Sequence, residues 1–316
     1  MNAFARLGRS TLLVLGTGYI LHFFSETVFW SVWRPGDELS GRLFGLLLYC
    51  LFAYLTLVVI RLFRIADIWG LMLAGAFFGW TCEGVYAMTV YGDSSMPFPL
   101  TIAWTALAWH GPLSVVLGWY MLGVALRERS PGPSLLLSLG LGAFWGLWAL
   151  GWRGETPPVS VEPDEFLLHA TAATICLASA HVLVAIGRPE TFAPSRWGIA
   201  LAALPVLAFF GAVTVPTVPI SALVLPVLLG ALYVALRRLR ASSPDSSLLI
   251  AFRPPLRIWN FIALAAMPLA ATAVYMRASP SVPDYPTVHP AVAAVISVGG
   301  TLLFAIGYRR AFRRRA

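Results

Sequence analysis

Residues 102–120 read IAWTALAWHGPLSVVLGWY, an apolar stretch that contains one histidine, His110. A helix rises about 1.5 Å per residue, so about 20 consecutive apolar residues cross the hydrocarbon core of a bilayer. The stretch therefore predicts a transmembrane helix that carries a histidine at membrane depth.

The composition of the whole chain agrees with that prediction. Of its 316 residues, 59% are hydrophobic and 11% are charged, and the mean hydropathy is +0.78. Soluble domains carry about 25% charged residues, so this chain is a membrane protein by class. The net charge of +8 comes from arginines in short segments between apolar runs, where they orient a membrane protein. We therefore expect no nucleic-acid partner.

The predicted fold is an all-α, polytopic bundle of about ten transmembrane helices. The apolar stretches that define them are residues 10–33, 42–63, 67–91, 99–126, 134–152, 165–187, 197–215, 218–236, 257–276 and 288–308. The Pro-rich sequence TVPTVPISALVLP at 214–226 leaves the exact count open within 197–236, because it suits a re-entrant or broken helix as well.

The loops between these stretches differ in charge, and the difference predicts the orientation. One set of loops and both tails hold most of the arginines: Arg6, Arg9, Arg61, Arg64, Arg127, Arg129, Arg188, Arg196, Arg237, Arg238, Arg240, Arg253, Arg257 and the terminal RRAFRRRA. The alternate loops hold fewer arginines and most of the acids: Arg34, Arg42, Arg153, Arg277, Asp37, Glu38, Asp93, Glu155, Glu162, Asp164, Glu165 and Asp284. Because cytoplasmic loops carry excess Lys and Arg, both termini are predicted in the cytoplasm of a bacterial-type inner membrane.

The chain divides into two halves of different composition. Residues 1–155 hold ten of the twelve tryptophans, whereas residues 156–316 are rich in Ala, Leu, Val and Pro. We predict that the first half carries the candidate site and that the second half is a scaffold. The halves share no motif, which argues against the inverted repeats of many transporters.

A few titratable side chains fall inside the apolar stretches, where a charge costs roughly 2.5–3.5 kcal/mol. They are His22, Glu26, Glu83, His110, His169 and His181. Counting about 1.5 Å per residue puts the first four about 10–16 Å below the outer surface and His169 at about 6 Å. His181 falls near the opposite face and is expected to stand apart.

These depths predict an outward-opening pocket in the first half. Glu83 and His110 are the first candidates for catalysis, followed by Glu26 and His22. The predicted ligand-binding residues are Trp80, Tyr86, Trp104, Trp109, Trp145, Trp148 and His169. Aromatic walls favour flat or apolar groups, so the expected ligand is a lipidic or aromatic small molecule. Trp30, Trp33 and Trp152 are instead interpreted as interfacial belt residues.

The chemistry and the cofactor stay open at this point. A carboxyl and an imidazole that share a dry site suit acid–base catalysis, and they suit proton-coupled transport equally. Two histidines and two carboxylates also match the ligands of Zn or Fe, and His22 and His110 lie at depths compatible with bis-His haem, which we disfavour. The chain has no HExxH, Glu-x-x-His or CxxC motif, so no cofactor is assigned.

Three functions remain after these observations. The favoured one is a membrane-embedded enzyme or ligand-binding protein whose pocket opens outward. The alternatives are a secondary transporter, with or without proton coupling, and an accessory subunit of a larger membrane complex. Membrane lipid is an expected partner in each case, and protein partners are left open.

Overall fold

The computed structural model describes residues 3–29, 37–92, 96–154, 158–240, 247–278 and 288–313. Over these ranges the secondary structure is helical, without strands. Nine helices there are long and apolar enough to cross a membrane: Leu39–Leu62, Ile68–Ala87, Leu100–Ala125, Gly132–Gly154, Pro163–Thr191, Arg196–Thr217, Ser221–Leu239, Ile258–Ala278 and Pro290–Arg313. The prediction of an all-α, multi-pass membrane protein is confirmed at this level. Trp30 and Trp33 lie outside the described residues.

The α-helices are numbered in chain order. They are α1 Ala3–His22, α2 Leu39–Leu62, α3 Ile68–Thr81, α4 Leu122–Ala125, α5 Gly132–Ala149, α6 Pro163–Gly187, α7 Arg196–Phe209, α8 Val215–Thr217, α9 Ser221–Leu239, α10 Ile258–Leu264, α11 Ala266–Ala278 and α12 Val288–Arg313.

Several of these helices continue into π-helical turns, in which each N–H bonds to the carbonyl five residues back. The π-helical segments are Phe23–Thr27 after α1, Cys82–Ala87 after α3, Ala106–Met121 before α4 and Phe210–Thr214 after α7. The backbone N–H of His110, for example, lies 2.8 Å from the carbonyl oxygen of Thr105. We call the segment Ala106–Met121 the His110 helix. Such turns are rare and are frequently found at functional sites.

The centre of the bundle is the contact between α3 and the His110 helix. The membrane-spanning windows of Ile68–Ala87 and Leu100–Ala125 are 83% and 72% buried, whereas those of Arg196–Thr217 and Pro290–Arg313 are both 17% buried. The two central helices approach closely because Gly75 faces Gly111: a Cβ on Gly75 would lie only 2.7 Å from the Cα of Gly111. Small residues at such crossings let membrane helices come into backbone contact.

Helices of the two predicted halves also pack against each other. α1 lies on α6, α5 lies on α11, and α12 lies on the His110 helix. The α1–α6 crossing is again made by glycine, since a Cβ on Gly16 would lie 2.5 Å from the Ala180 carbonyl oxygen. The division into a site-bearing half and a scaffold half stays a prediction.

The described loops group into two layers, one at each end of the bundle. In the layer that holds most of the arginines, the Leu248 N–H donates to the Ile65 carbonyl at 2.8 Å, and the Arg257 N–H donates to the Leu126 carbonyl at 3.0 Å. We call this the arginine layer.

The opposite layer is joined by side-chain hydrogen bonds to backbone carbonyls. The Tyr275 hydroxyl donates to the Val161 carbonyl at 2.9 Å, and the Thr214 hydroxyl donates to the Val85 carbonyl at 2.6 Å. These hydrogen bonds join the ends of helices that are not consecutive in the chain, as expected where successive helices run in opposite directions.

Candidate functional site

The side chains of Glu83 and His110 meet in the interior of the bundle. Glu83 lies on the π-helical turn that follows α3, and its Oε1 is 2.5 Å from Nε2 of His110. Only 10% of the Glu83 side chain and 3% of the His110 side chain is exposed. The two residues that the sequence ranks first as catalytic candidates therefore form one hydrogen-bonded pair, away from lipid.

The second nitrogen of His110 contacts a serine that sequence reasoning missed. The Oγ of Ser25 is 2.8 Å from Nδ1 of His110, and it is also 2.9 Å from the Oγ of Ser114. Both serines are buried. The only signal in the sequence is spacing, because Ser114 follows His110 by one helical turn and Ser25 precedes Glu26.

The other oxygen of Glu83 accepts a hydrogen bond from the hydroxyl of Thr89. Thr105 also lies beside this carboxylate. The backbone on each side is strained, since Met88, directly before Thr89, has φ 61° and Thr105 has φ 51°. Non-glycine residues rarely adopt positive φ, and such strain concentrates at functional sites.

The hydrogen bonds around His110 form a directed chain when Glu83 is ionised and the imidazole is neutral. An ionised carboxylate only accepts hydrogen bonds, so Nε2 carries the ring proton and donates it to Glu83. Nδ1 then accepts from the hydroxyl of Ser25, which in turn accepts from the hydroxyl of Ser114. If the imidazole gains a proton, Ser25 becomes an acceptor and the direction of the chain reverses.

Glu26 and His22 form a second cluster next to this pair. The Tyr49 hydroxyl donates to Oε1 of Glu26 at 2.6 Å, and the ring of His22 meets the Tyr49 ring edge-on at 5.2 Å between centroids. The ring of Phe78 lies between the two clusters, 5.9 Å from the Tyr49 ring and 5.3 Å from the His110 ring. The four predicted catalytic residues thus occupy two adjacent clusters.

The positions of these side chains decide whether the site has room and ligands for a metal ion or a bis-His haem. In the described part of the chain, no group of three or more His, Cys, Asp or Glu side chains is close enough to hold a metal ion. The rings of Tyr49 and Phe78 fill the line from His22 to His110, where bis-His haem would need its macrocycle.

The deep tryptophans pack around the end of the first helix. The indole N–H of Trp109 donates to the Phe24 carbonyl at 2.7 Å, and those of Trp148 and Trp152 both donate to the Phe29 carbonyl at 2.9 Å. Carbonyls at the end of a helix lack partners within it, so these indoles satisfy them. Trp152 is fully buried, so its interpretation as a belt residue was wrong. Ligand binding by Trp109 and Trp148 stays a prediction.

The other predicted ligand-binding residues lie around the two clusters. Trp104 is half-buried and lies 6.5 Å from the Trp148 ring. Trp145 is fully buried, and the ring of His169 meets it edge-on at 6.1 Å. Tyr86 is 40% exposed, with its ring 6.2 Å from that of Phe44 on α2.

Trp80 faces a different region from Glu83. Its indole N–H donates to the Ile102 carbonyl at 2.9 Å, and its ring lines an open, apolar groove of about 560 Å³. The groove is also lined by Leu107, Leu228, Leu232, Phe304 and Tyr308, and its lining includes neither Glu83 nor His110.

A further buried polar group lies at the arginine layer. Arg127 is 4% exposed, and its guanidinium donates to the carbonyls of Phe252 at 3.1 Å and Gly123 at 2.5 Å. Burial lowers the pKa of Arg127 to about 10, which leaves the guanidinium charged at neutral pH. His181 lies against the same Gly123, at the other end of the bundle from the carbonyls that the tryptophans cap.

Comparison of the chain with known protein families, with curated proteins and with solved structures finds no match. The class of protein is therefore defined by fold and composition, as a multi-pass helical membrane protein. Its function has to be argued from the geometry of the site.

Proposed function

We propose that the protein is a membrane-embedded enzyme in which Glu83 and His110 work as one acid–base unit. The observation that carries this proposal is their 2.5 Å hydrogen bond in the interior of the bundle. Ionisable groups at membrane depth are costly and are by default functional candidates. Acid–base catalysis also needs its groups within hydrogen-bond reach, which this pair satisfies.

The surroundings of the pair favour catalysis over simple helix–helix adhesion. One hydrogen bond is enough to join two helices, whereas here the pair is extended by hydroxyls at both ends. The strained residues Met88 and Thr105 flank the carboxylate. Ser25, Glu83 and His110 all lie in π-helical segments. Strain and π geometry both cost stability, and they persist most often where function requires them.

The proposal includes ten spans, with both termini in the cytoplasm of a bacterial-type inner membrane. The tenth span is α1 with its π-helical extension, which reaches from one loop layer to the other. Leu13 packs on Gly187 near the arginine layer, and the Phe29 carbonyl is capped at the opposite layer. Because cytoplasmic loops carry an excess of arginine, the proposal places the arginine layer in the cytoplasm.

We propose that the site opens towards the outer leaflet. Glu26 is partly exposed, and Tyr86 is 40% exposed beside it. Towards the arginine layer the site is closed, since the ring of Phe24 lies in van der Waals contact with Gly118 and Trp119 is buried. A site with a single mouth would suit an enzyme better than a transport path, which needs polar lining on both sides of the midplane.

The proposed substrate is a lipidic or aromatic molecule that enters from the membrane. The mouth is edged by the rings of Tyr86, Phe44 and Phe209, and apolar pockets with a few polar groups are typical small-molecule sites. The polar groups that would orient the substrate are Glu26 and Tyr49, whose side chains are hydrogen-bonded to each other.

The experiment uses the full-length protein in lipid nanodiscs, with and without Glu83→Gln. Native mass spectrometry first identifies any small molecule that stays bound, and the protein is then incubated with a bacterial lipid extract. We expect a compound that the wild-type protein consumes and that E83Q leaves unchanged. The matched control is Glu128→Gln on the exposed loop after α4, which should behave as wild type. Equal conversion by E83Q and wild type would overturn the proposal.

A further inference from the structure

We propose that Ser25 is the nucleophile of this site and that the substrate is an ester lipid whose acyl group passes through Ser25. This inference rests on the proposed acid–base function of Glu83 and His110, and it adds the atom that attacks and the class of bond that breaks. Ser25 is assigned on its contacts, because its position directly before Glu26 is the only signal in the sequence.

The geometry is that of an activated serine. A hydroxyl nucleophile needs a base within about 2.6–3.2 Å, and the base in turn needs a third group that orients it. Ser25 Oγ lies 2.8 Å from Nδ1 of His110, and Glu83 holds the opposite ring nitrogen at 2.5 Å. The carboxylate fixes the ring proton on Nε2, so the lone pair of Nδ1 points at the serine hydroxyl.

Ser25 differs from the other buried serines because its hydroxyl is hydrogen-bonded to a histidine. Ser134 and Ser138 are fully buried on α5, and their hydroxyls have no hydrogen-bond partner. Among the serines that the structure describes, Ser25 alone is hydrogen-bonded to a histidine. Ser114 adds a second hydroxyl 2.9 Å from Ser25 Oγ, and by donating to that oxygen it leaves the Ser25 proton directed at Nδ1 of His110.

The reaction follows from these contacts. His110 takes the Ser25 proton on Nδ1 while the Oγ–carbonyl carbon bond forms, and Glu83 stabilises the imidazolium. The ester C–O bond then breaks, and the leaving alcohol oxygen receives the proton from His110. Water, or the hydroxyl of an acceptor, attacks the acyl-serine and gives its proton to His110, which returns it to Ser25 as the acyl–Oγ bond breaks.

The depth of Ser25 supports a lipid ester as the substrate. Four residues of π-helix and turn separate Ser25 from Phe29, a rise of at most about 6 Å, and the Phe29 carbonyl is capped at the loop layer away from the arginines. Ester linkages of membrane lipids lie at the boundary between headgroups and acyl chains. The headgroup regions extend about 5–8 Å beyond the hydrocarbon core on each side, so that boundary falls at a similar depth.

The test is labelling of the full-length protein in nanodiscs with a long-chain alkyl fluorophosphonate, located by peptide mass spectrometry. We expect an adduct on the Ser25 peptide of the wild-type protein, none in Ser25→Ala, and at least a tenfold slower reaction in Glu83→Gln. The control Ser179→Ala, on the exposed face of α6, should react as wild type. Thermal unfolding of each variant shows that it is folded.

The outcomes separate this inference from the function on which it rests. Absence of a Ser25 adduct, while E83Q still abolishes lipid conversion, would overturn the nucleophile and leave the acid–base site standing. An adduct that forms equally fast in E83Q would also overturn it, because the serine would then not be activated by the pair. Equal lipid conversion by wild type and E83Q would instead overturn the proposed function itself.

Discussion

Glu83 and His110 are 27 positions apart in the chain, yet their side chains share a 2.5 Å hydrogen bond in the interior of the bundle. The bond forms because α3 and the His110 helix approach to backbone contact at Gly75 and Gly111. The pair therefore depends on two features together: costly polar residues at the same depth, and small residues that let the helices carrying them meet.

The glycine contact predicts the effect of adding one methyl group. In Gly75→Ala the new Cβ would lie 2.7 Å from the Cα of Gly111, so the two central helices must move apart. We expect a loss of about 1–3 kcal/mol in unfolding free energy, together with loss of lipid conversion. The matched control is Gly230→Ala on α9, where nothing lies within 4 Å of the new Cβ. It should be neutral or slightly stabilising, since alanine favours helix. Thermal unfolding in detergent compares the two variants, and equal midpoints would contradict the described packing.

The tryptophans that cap the end of the first helix predict a smaller loss of unfolding free energy than the glycine contact does. Trp148→Phe keeps an aromatic ring but removes one of the two N–H groups that donate to the Phe29 carbonyl. We expect a loss of about 1 kcal/mol, because Trp152 still satisfies the carbonyl. Trp197→Phe is the control, since Trp197 is 81% exposed and its indole faces lipid or solvent. Chemical unfolding followed by fluorescence measures both, and a W148F protein as stable as W197F would contradict the capping role.

The proposed topology predicts which loops a membrane-impermeant reagent reaches. Ser160 lies in the layer that the proposal assigns to the outside, and Ser130 lies in the arginine layer; both are exposed. The test uses the single variants Ser160→Cys and Ser130→Cys. In intact cells we expect an impermeant maleimide to label S160C, and to label S130C only after the membrane is permeabilised. The opposite pattern would reverse the orientation, and labelling of both without permeabilisation would place the two layers on one side.

Much of the fold follows from the sequence because a bilayer restricts the choices. The long apolar stretches have to be helices, and the arginine-rich loops alternate as expected for one consistent orientation. Depth along each helix also put Glu83 and His110 at one level, and the structure brings their side chains together. The tenth span and the orientation stay predictions.

There are physical reasons why the sequence did not predict some parts of the site. The sequence did not point to Ser25 and Ser114, because placing a hydroxyl in a membrane helix costs little free energy. A serine whose partner is unknown therefore gives no indication of function. Trp80 precedes Glu83 by three positions, which in a regular α-helix would put the two side chains on one face. The π-helical turn that begins at Cys82 holds more residues per turn than an α-helix, and Glu83 does not line the groove that Trp80 lines.

The central claim, that Glu83 and His110 act as one unit, is tested most directly by a double-mutant cycle. Lipid conversion is measured in nanodiscs for wild type, Glu83→Gln, His110→Asn and the double variant, each checked for folding. Acid–base groups typically contribute a factor of about 10²–10⁴, and residues that work as a unit are far from additive. The account predicts that the double variant is no slower than the slower single variant. Losses that multiply would show two independent residues and would contradict the account.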